Sequence, residues 1–276
     1  MTAATATPWR ANGPSLHAML QIAGWVGLGL IAVAVSLSDF LASAPANATA
    51  IGPLLAAPSA DFRFGTDVLG RDMLSETLHG LSRTVRGALP ATVVTLFAGA
   101  LFGFVAARLP RGLALGLRGL IGIAASLPAL FLALLAIGLT SRDWVSVAAG
   151  LSAAPFAFVR AFDRARQQER TTHSEYARAT GISGATLMRR DLVYEFSDTL
   201  LSSAARALAA VTIILSTLSF LGFGAVPPHR DLGLMIAAAK SYFLHAWWTA
   251  AFPALALTLL ILFARLAAGL DEGERA

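Results

Sequence analysis

The chain has 276 residues, of which 56% are hydrophobic and 13% are charged, and its formal net charge is +5. A soluble domain of this length would have too few polar residues to cover its apolar core, so the composition places the chain in a bilayer. The absence of cysteine excludes a thiolate nucleophile, a disulfide and a sulfur-ligated metal site.

Several apolar runs are long enough to cross a membrane, because a transmembrane helix needs about 20 mostly apolar residues. These runs lie at about 18–38, 88–107, 113–139, 144–162, 203–223 and 247–268. The sequence therefore predicts an all-α membrane protein with six transmembrane helices. An N-terminal arm over 1–17 would precede one transmembrane domain over 18–276.

The first apolar run has two interpretations. Arg10 precedes it, and Ala42-Ser43-Ala44 resembles a signal-peptide cleavage site. However, a signal-peptide core usually has about 7–15 residues, and the run from Ala18 to Leu37 is longer. A retained first span with a cytoplasmic arm is therefore favoured.

The arginines predict the orientation, since cytoplasmic loops are enriched in basic residues. With a cytoplasmic N-terminus, the segments 108–118 and 163–202 and the C-terminus lie inside and carry more arginine than the outer loops. This distribution explains the positive charge without a nucleic-acid partner, because no basic face is interleaved with aromatic residues.

The first outer loop, about 39–87, is expected to fold as a cap. It contains glycine turns and alternating charges over 64–75. Asp67 could cap a short helix. Asp67, Arg71 and Asp72 could brace the cap or form the surface on which an external protein sits. Charges so close in sequence often satisfy one another, which favours bracing.

Some residues inside the predicted spans have both a structural and a functional interpretation. Three prolines lie inside the apolar runs: Pro128, Pro155 and Pro253. Each removes a helix hydrogen bond and can kink its span. Arginines near span ends usually extend to the head groups: Arg118, Arg206 and Arg265. Hydroxylated residues could line a transport pathway or form helix-packing contacts. The candidates are Ser126, Ser152, Thr212, Ser216, Ser219 and Thr258.

The inner loop, about 163–202, reads as a helical hairpin. Thr172 and Glu175 have the spacing of a capping box, so a helix is expected to begin there and to break at Gly181. A second helix would run from Ser183 into the fifth span. The small residues around the break would let a partner approach the backbone, although a plain surface hairpin would have the same pattern.

These motifs resemble a known family. Glu175, Ala177 and Gly181 have the spacing of the inner loop in permease subunits of binding-protein-dependent ABC importers. The segment 64–72 closely resembles the one before the second span in the peptide/nickel class. The segments 218–228 and 246–253 resemble the C-terminal third of that class, and the similarity is to its second-permease, C-type subunit.

The chain departs from the family pattern at several positions. Tyr194 and Glu195 stand where the family usually has Pro-Asn, and Glu76 replaces a common Arg. The C-terminal tail, 270–275, lacks the Arg-Asp and Asp-Pro ending that is usual in the family. These departures weaken any assignment of cargo by similarity.

The resemblance implies a type I ABC importer transmembrane domain and assigns its contact residues. The ATPase-docking residues would be Glu175, Ala177, Ala179, Gly181, Ile182, Ser183 and Leu187. The outer-loop motif would be Gly65, Thr66, Asp67, Gly70, Arg71 and Asp72. No metal-binding or catalytic residue is implied.

The implied partners are a homologous second permease, two ATP-binding subunits, a periplasmic or lipid-anchored solute-binding protein and membrane lipid. ATP and Mg²⁺ would bind to the partner subunits, and no cofactor is expected in this chain. The residues agree with this division, because the only lysine, Lys240, follows Ala239 and forms no phosphate-binding Gly-Lys-Ser/Thr segment.

The expected function is half of a peptide translocation pathway in a bacterial cytoplasmic (inner) membrane. Uptake of nickel or a metal chelate by the same architecture is the alternative cargo. An intramembrane enzyme would need paired catalytic groups inside spans, but the five histidines fall in loops or at span edges. An ion-coupled transporter would need a mid-membrane acidic residue, and none is evident.

Overall fold

The structure is a computed structural model that describes residues 16–139, 141–168 and 184–269. Side chains within these ranges are described except at 142, 168 and 184–199. The described residues form helices and connecting segments, with a single isolated β-bridge between Thr66 and Asp72.

The N-terminal half contains one span, an outer cap and a second, long span. Helix α1 covers Leu16–Ser36 and the short α2 covers Ser38–Leu41. Helix α3 covers Met73–Thr95 and continues through a π-helical turn, Leu96–Leu101, into α4, Phe102–Ala107. The outer loop was expected to extend to about 87, which is wrong, because α3 begins at Met73.

The C-terminal half contains the remaining spans. The helices are α5 (Arg111–Ala125), α6 (Ala129–Leu139), α7 (Val145–Gln168), α8 (Gly184–Phe220), α9 (Leu232–Ala239) and α10 (Trp248–Ala268). Short 3₁₀ turns precede α7 and follow α9. The expected helix leading into the fifth span is present as α8, which runs without a break for 37 residues.

The third expected span, 113–139, is not one helix. Helices α5 and α6 meet at 90° across residues 126–128. Pro128 has no backbone N–H, and its ring disfavours helical geometry at the preceding residue. Five described helices are long and apolar enough to span a membrane, and the total is six when this bent pair counts as one span. The expected architecture is therefore confirmed, with the third span broken.

Close packing of small residues holds the bundle together. Helix α7 lies at its centre and contacts α3, α4, α5, α6 and α8. Added Cβ atoms on Gly99 and Gly150 would lie 2.5–2.6 Å from carbonyl oxygens of the facing helices. Such small residues let helix backbones approach closely, which is how helices associate inside a bilayer.

Candidate functional site

The outer-loop motif folds into a buried cluster beneath the cap, with Asp67 at its centre. Asp67 Oδ1 accepts hydrogen bonds from the backbone N–H groups of Leu69 and Arg71, at 2.8 and 3.0 Å. Its Oδ2 accepts from Arg230 Nη1 at 2.9 Å, across 163 positions of sequence. Asp67 therefore shapes its own turn and ties the cap to the segment before α9.

A second ion pair lies beside the first. Arg71 Nη1 is 3.7 Å from Glu76 Oε2, and Arg71 Nε is 4.0 Å from Asp67 Oδ2. Glu76 Oε1 also accepts from the backbone N–H of Asn47 at 2.9 Å. Glu76, which departs from the family pattern, thus provides a buried negative charge facing Arg71.

Asp72 begins helix α3. Its Oδ2 accepts from the backbone N–H of Ser75 at 3.1 Å, which satisfies one of the free donors of the first helical turn. The same oxygen accepts from Ser75 Oγ and from Ser43 Oγ, both at 2.6 Å. The cap of a helix expected at Asp67 is therefore found at Asp72.

Thr66 and two glycines complete the cap. Trp248 at the start of α10 donates from Nε1 to Thr66 O at 3.1 Å. Gly65 and Gly70 have φ angles of 71° and 66°, a backbone region that residues with a Cβ rarely adopt. The outer-loop motif thus joins the cap to α3, α10 and the segment before α9.

The charged members of this cluster are buried. Asp67 is 3% exposed, Arg71 8%, Asp72 4% and Glu76 2%. Buried charges are costly unless they are paired and hydrogen-bonded. Asp67 and Asp72 accept hydrogen bonds from other groups, whereas Arg71 Nε, Arg71 Nη1 and Glu76 Oε2 have no hydrogen-bond partner and are paired by charge alone. The contacts favour bracing over direct contact with an external protein.

The predicted docking loop lies mostly outside the described residues. Glu175, Ala177, Ala179, Gly181, Ile182 and Ser183 fall in the range that the structure does not describe. Leu187 lies in α8, and its side chain is not described. The structure does fix the two helices that flank the loop, α7 ending at Gln168 and α8 beginning at Gly184.

A cavity of about 330 Å³ opens among α3, α4, α7, α8 and α10. Four arginines lie on its wall: Arg160, Arg164, Arg206 and Arg265. The other lining residues are mostly alanine, leucine and phenylalanine, with the hydroxyl groups of Thr95 and Ser203. Sequence reasoning missed this cavity, because its lining residues come from four separate stretches of the chain.

Two of the arginines expected to extend to the head groups make protein contacts instead. Arg118 on α5 forms two hydrogen bonds with the carboxylate of Asp163 on α7, at 2.9 and 2.8 Å. Arg206 on α8 donates to Ala268 O at the end of α10 at 3.0 Å. Both side chains therefore join helices. Arg265 is exposed at the last turn of α10.

The hydroxylated residues proposed for the pathway do not line this cavity. Buried members pack between helices: Ser152, Thr212, Ser216 and Ser219. Ser126 and Thr258 are exposed, and each donates to a carbonyl of its own helical segment. Among the described residues, no group of three or more His, Cys, Asp and Glu could hold a metal ion.

Five apolar helices and a broken third span define a multi-pass membrane protein. A family model described as the inner membrane component of binding-protein-dependent transport systems matches residues 99–270. The chain belongs to this family and is a permease subunit of an ABC importer, located in a bacterial inner membrane.

Curated relatives agree with the family. A di/tripeptide transport system permease protein of Pseudomonas aeruginosa is 30% identical over 208 residues, 74% of this chain and 68% of that protein. A probable D,D-dipeptide transport system permease protein of Escherichia coli is 28% identical, over 91% and 86% of the two chains. A putative peptide transport system permease protein of Brucella suis is 29% identical, over 86% and 80%.

Proposed function

We propose that this chain is the C-type permease of an ATP-driven peptide importer and forms half of its translocation pathway. The support for peptides is that these three relatives are named as peptide or dipeptide transport permeases. Nickel or a metal chelate remains the alternative cargo for the same architecture.

The proposed assembly contains a homologous second permease, two ATP-binding subunits and an external solute-binding protein. ATP and Mg²⁺ bind to the ATP-binding subunits, and this chain carries no cofactor and no covalent chemistry. Its N-terminus faces the cytoplasm, since that orientation places the arginine-rich inner segments inside.

The observation that best supports a coupling role is the continuity of α8. This helix runs from Gly184, beside the proposed docking loop, to Phe220 at the far end of the fifth span. At 1.5 Å per residue its 37 residues extend about 55 Å. A push on the loop would therefore move the whole span as a rigid body.

The neighbouring helix would spread the movement through the bundle. Helix α7 enters the same loop at Gln168 and packs against α3, α4, α5 and α6. The Arg118–Asp163 pair joins α7 to α5 at the same end of the bundle. Closure of the ATP-binding subunits would thus tilt the broken third span together with the fourth and fifth spans.

Substitution of Gly181 tests the docking loop. Gly181→Val adds a β-branched side chain at the predicted helix break, a kind of position that favours glycine. We expect transport and transport-coupled ATP hydrolysis to fall about tenfold or more while the protein stays in the membrane. The measurement is uptake and ATPase activity in proteoliposomes of the purified complex.

Gly112→Val is the matched control. Gly112 lies at the start of α5, where nothing would approach an added Cβ within 4 Å. Its transport should stay close to that of the parent protein. Unchanged transport by a normally expressed Gly181→Val variant contradicts the docking role.

Purification of the tagged chain in mild detergent tests the assembly. We expect a second permease and ATP-binding subunits to co-purify. Calorimetric titration of the external binding protein with di- and oligopeptides, and separately with Ni²⁺, then identifies the cargo. Recovery of the chain without any ATP-binding subunit contradicts an ATP-driven importer, whereas Ni²⁺ binding with no peptide binding replaces the cargo alone.

A further inference from the structure

We propose that the inner halves of the second, third and fourth spans move as one rigid unit, which swings about three helix breaks and narrows the cavity against α8. Inner here means nearer to the loop between α7 and α8. The inference rests on the proposed function for its driving force, because that loop would receive the push of the ATP-binding subunits. It adds which part of this chain moves.

The second, third and fourth spans pack around two separate apolar cores. The outer core joins α3, α6, α7 and α8, and its α7 members end at Ala153. The inner core joins α4, α5 and α7, and its α7 members begin at Phe158. The buried members of the inner core are Ala106, Ala107, Ala114, Phe158, Phe162 and Ala165. Each of these three spans therefore contributes to both cores.

Each of the three spans is also broken between its outer-core and its inner-core residues. The π-helical turn Leu96–Leu101 separates α3 from α4 in the second span. The 90° bend at residues 126–128 separates α5 from α6 in the third span. In the fourth span, Pro155 lies between the two cores and lacks the N–H of a regular helical residue. Sharp helix bends occur at prolines and at π turns, so the boundary between the cores is a line of hinges.

The breaks in the second and fourth spans lie side by side. A Cβ on Gly99, inside the π-helical turn, would lie 2.5 Å from the carbonyl oxygen of Ala154, the residue before Pro155. The two breaks are therefore at the same depth in the bundle, and the two spans can bend together.

The inner unit consists of α4, α5 and the part of α7 after Pro155, and its own contacts hold it together. Arg118 on α5 forms two hydrogen bonds with the carboxylate of Asp163 on α7, at 2.9 and 2.8 Å. An added Cβ on Gly103 of α4 would collide with the backbone of Phe158 on α7. Both α4 and α5 are thus fixed to the inner part of α7, and the unit can move without internal repacking.

The cavity provides the room for this movement. Protein interiors are close-packed, so a packed unit can swing only towards open space. The cavity of about 330 Å³ lies between the inner unit and α8. Alanines lie on both of its walls, namely Ala157 and Ala161 on the inner unit and Ala207 and Ala210 on α8. Because α8 is unbroken, a push on the loop would carry it as a rod and would bend α7 at Pro155.

Distances between spin labels test the hinge. The chain contains no cysteine, so cysteine pairs can be labelled in a complex whose other subunits are also free of cysteine. The test pair, Gly112→Cys and Leu201→Cys, joins exposed positions on the inner unit and on α8. The control pair, Leu89→Cys and Leu135→Cys, joins exposed positions on α3 and α6, which share the outer core.

Electron paramagnetic resonance measures both distances without nucleotide and after trapping with ATP and vanadate. The part of α7 from Ala157 to Gln168 is about 18 Å long. A bend of about 20° would move its end by about 6 Å. We therefore expect the distance of the test pair to shift by about 6 Å between the two states, while that of the control pair stays constant. An unchanged test distance, or equal shifts of both pairs, would overturn the inference.

Pro155→Ala tests the break in α7 itself. Alanine restores the backbone N–H and favours a straight helix, so the variant should stiffen α7. We expect the shift of the test distance to fall by about half or more and transport to fall about tenfold. The midpoint of thermal unfolding should not fall. A full distance shift in a normally expressed Pro155→Ala variant would overturn the hinge.

Pro90→Ala is the matched control. Pro90 is an exposed proline inside α3, away from the boundary between the cores. Its replacement also restores a backbone N–H, but it should leave transport and the distance shift close to those of the parent protein. Equal losses in the two proline variants would contradict a specific role of Pro155.

Failure of this inference is distinguishable from failure of the proposed function. A complex that hydrolyses ATP and transports peptide at a constant test distance refutes the hinge alone. A complex that shows the shift but takes up no peptide refutes the cargo alone. If the chain purifies without ATP-binding subunits, the importer is refuted. The width of the distance distribution, which Pro155→Ala should narrow, then still tests the hinge.

Discussion

Asp67 combines local and long-range contacts in one buried carboxylate. It shapes the turn over 67–71 through two backbone hydrogen bonds, and it pairs with Arg230 from the other half of the chain. Removing one member of a buried ion pair leaves the other charge uncompensated, at a cost of about 3–5 kcal/mol. Asp67 is therefore expected to stabilise the cap both locally and across the chain.

Asp67→Asn tests this dependence. The amide has nearly the same shape, but it removes the charge that faces Arg230 and Arg71. We expect the free energy of unfolding to fall by about 3–5 kcal/mol. The measurement is the midpoint of thermal unfolding in detergent, followed by size-exclusion chromatography of the heated protein.

Asp61→Asn is the control for Asp67→Asn. Asp61 lies in the same outer loop and is exposed, so its replacement should leave the midpoint almost unchanged. Equal midpoints for the two variants would refute the bracing role of Asp67.

The sequence of the outer-loop motif predicted which residues form the cluster but not their distant partners. Asp67 and Arg71 lie within one short segment, so their pairing was predictable from sequence, although it is a 4.0 Å contact without a hydrogen bond. Arg230 and Trp248 reach the motif from 163 and 182 positions away. No local pattern specifies such a pairing, because it depends on how the spans pack.

At the scale of helices, the packing of α1 against α10 depends on glycine. An added Cβ on Gly24 would lie 2.6 Å from the carbonyl carbon of Leu266 and closer still to the next backbone nitrogen. Backbone atoms cannot move aside as a flexible side chain can. Any larger residue at Gly24 must therefore push α1 away from α10.

Gly24→Ala and Gly29→Ala form a matched pair on one helix. Nothing lies within 4 Å of a Cβ at Gly29. We expect Gly24→Ala to lower the midpoint of thermal unfolding by several degrees, since overpacking commonly costs about 1–3 kcal/mol. Gly29→Ala should leave the midpoint unchanged or raise it, because alanine has the higher helix propensity. A Gly24→Ala midpoint equal to that of Gly29→Ala contradicts close contact between α1 and α10.

Apolar runs predicted the existence of the spans but not all their ends. The run at 88–107 marked only the most apolar part of a helix that begins at Met73, because α3 opens with buried polar residues such as Glu76 and His79. Glu76 and His79 contact the cap at Asn47 and Ala44. The first turns of α3 are therefore buried without an apolar sequence pattern. Pro128 marked the break between α5 and α6, although a proline inside a run does not specify a bend of 90°.

At the scale of the whole molecule, the orientation links the cap, the cavity and the loop to particular sides of the membrane. With the N-terminus in the cytoplasm, the cap over residues 42–72 would face the periplasm, and the loop between α7 and α8 would face the proposed ATP-binding subunits. The opposite orientation would place the cap on the side of the ATP-binding subunits. The proposed contacts of the cap and of the loop between α7 and α8 therefore both depend on the orientation of the chain in the membrane.

The chain is well suited to a direct measurement of orientation, because it contains no cysteine that would label in the background. Ala60→Cys places one thiol on the exposed surface of the outer cap, and Gly112→Cys places one at the exposed start of α5. A membrane-impermeant maleimide should label Ala60→Cys in spheroplasts. It should label Gly112→Cys only after the membrane is permeabilised.

Both variants should label equally in detergent, which controls for the reactivity of each thiol. Labelling of Gly112→Cys in sealed spheroplasts, with protection of Ala60→Cys, would invert the orientation. The four arginines of the cavity would then lie at the periplasmic surface, and the loop between α7 and α8 could not reach a cytoplasmic ATPase. The predicted pattern instead places the cap beside an external binding protein and the ends of α7 and α8 beside the ATP-binding subunits.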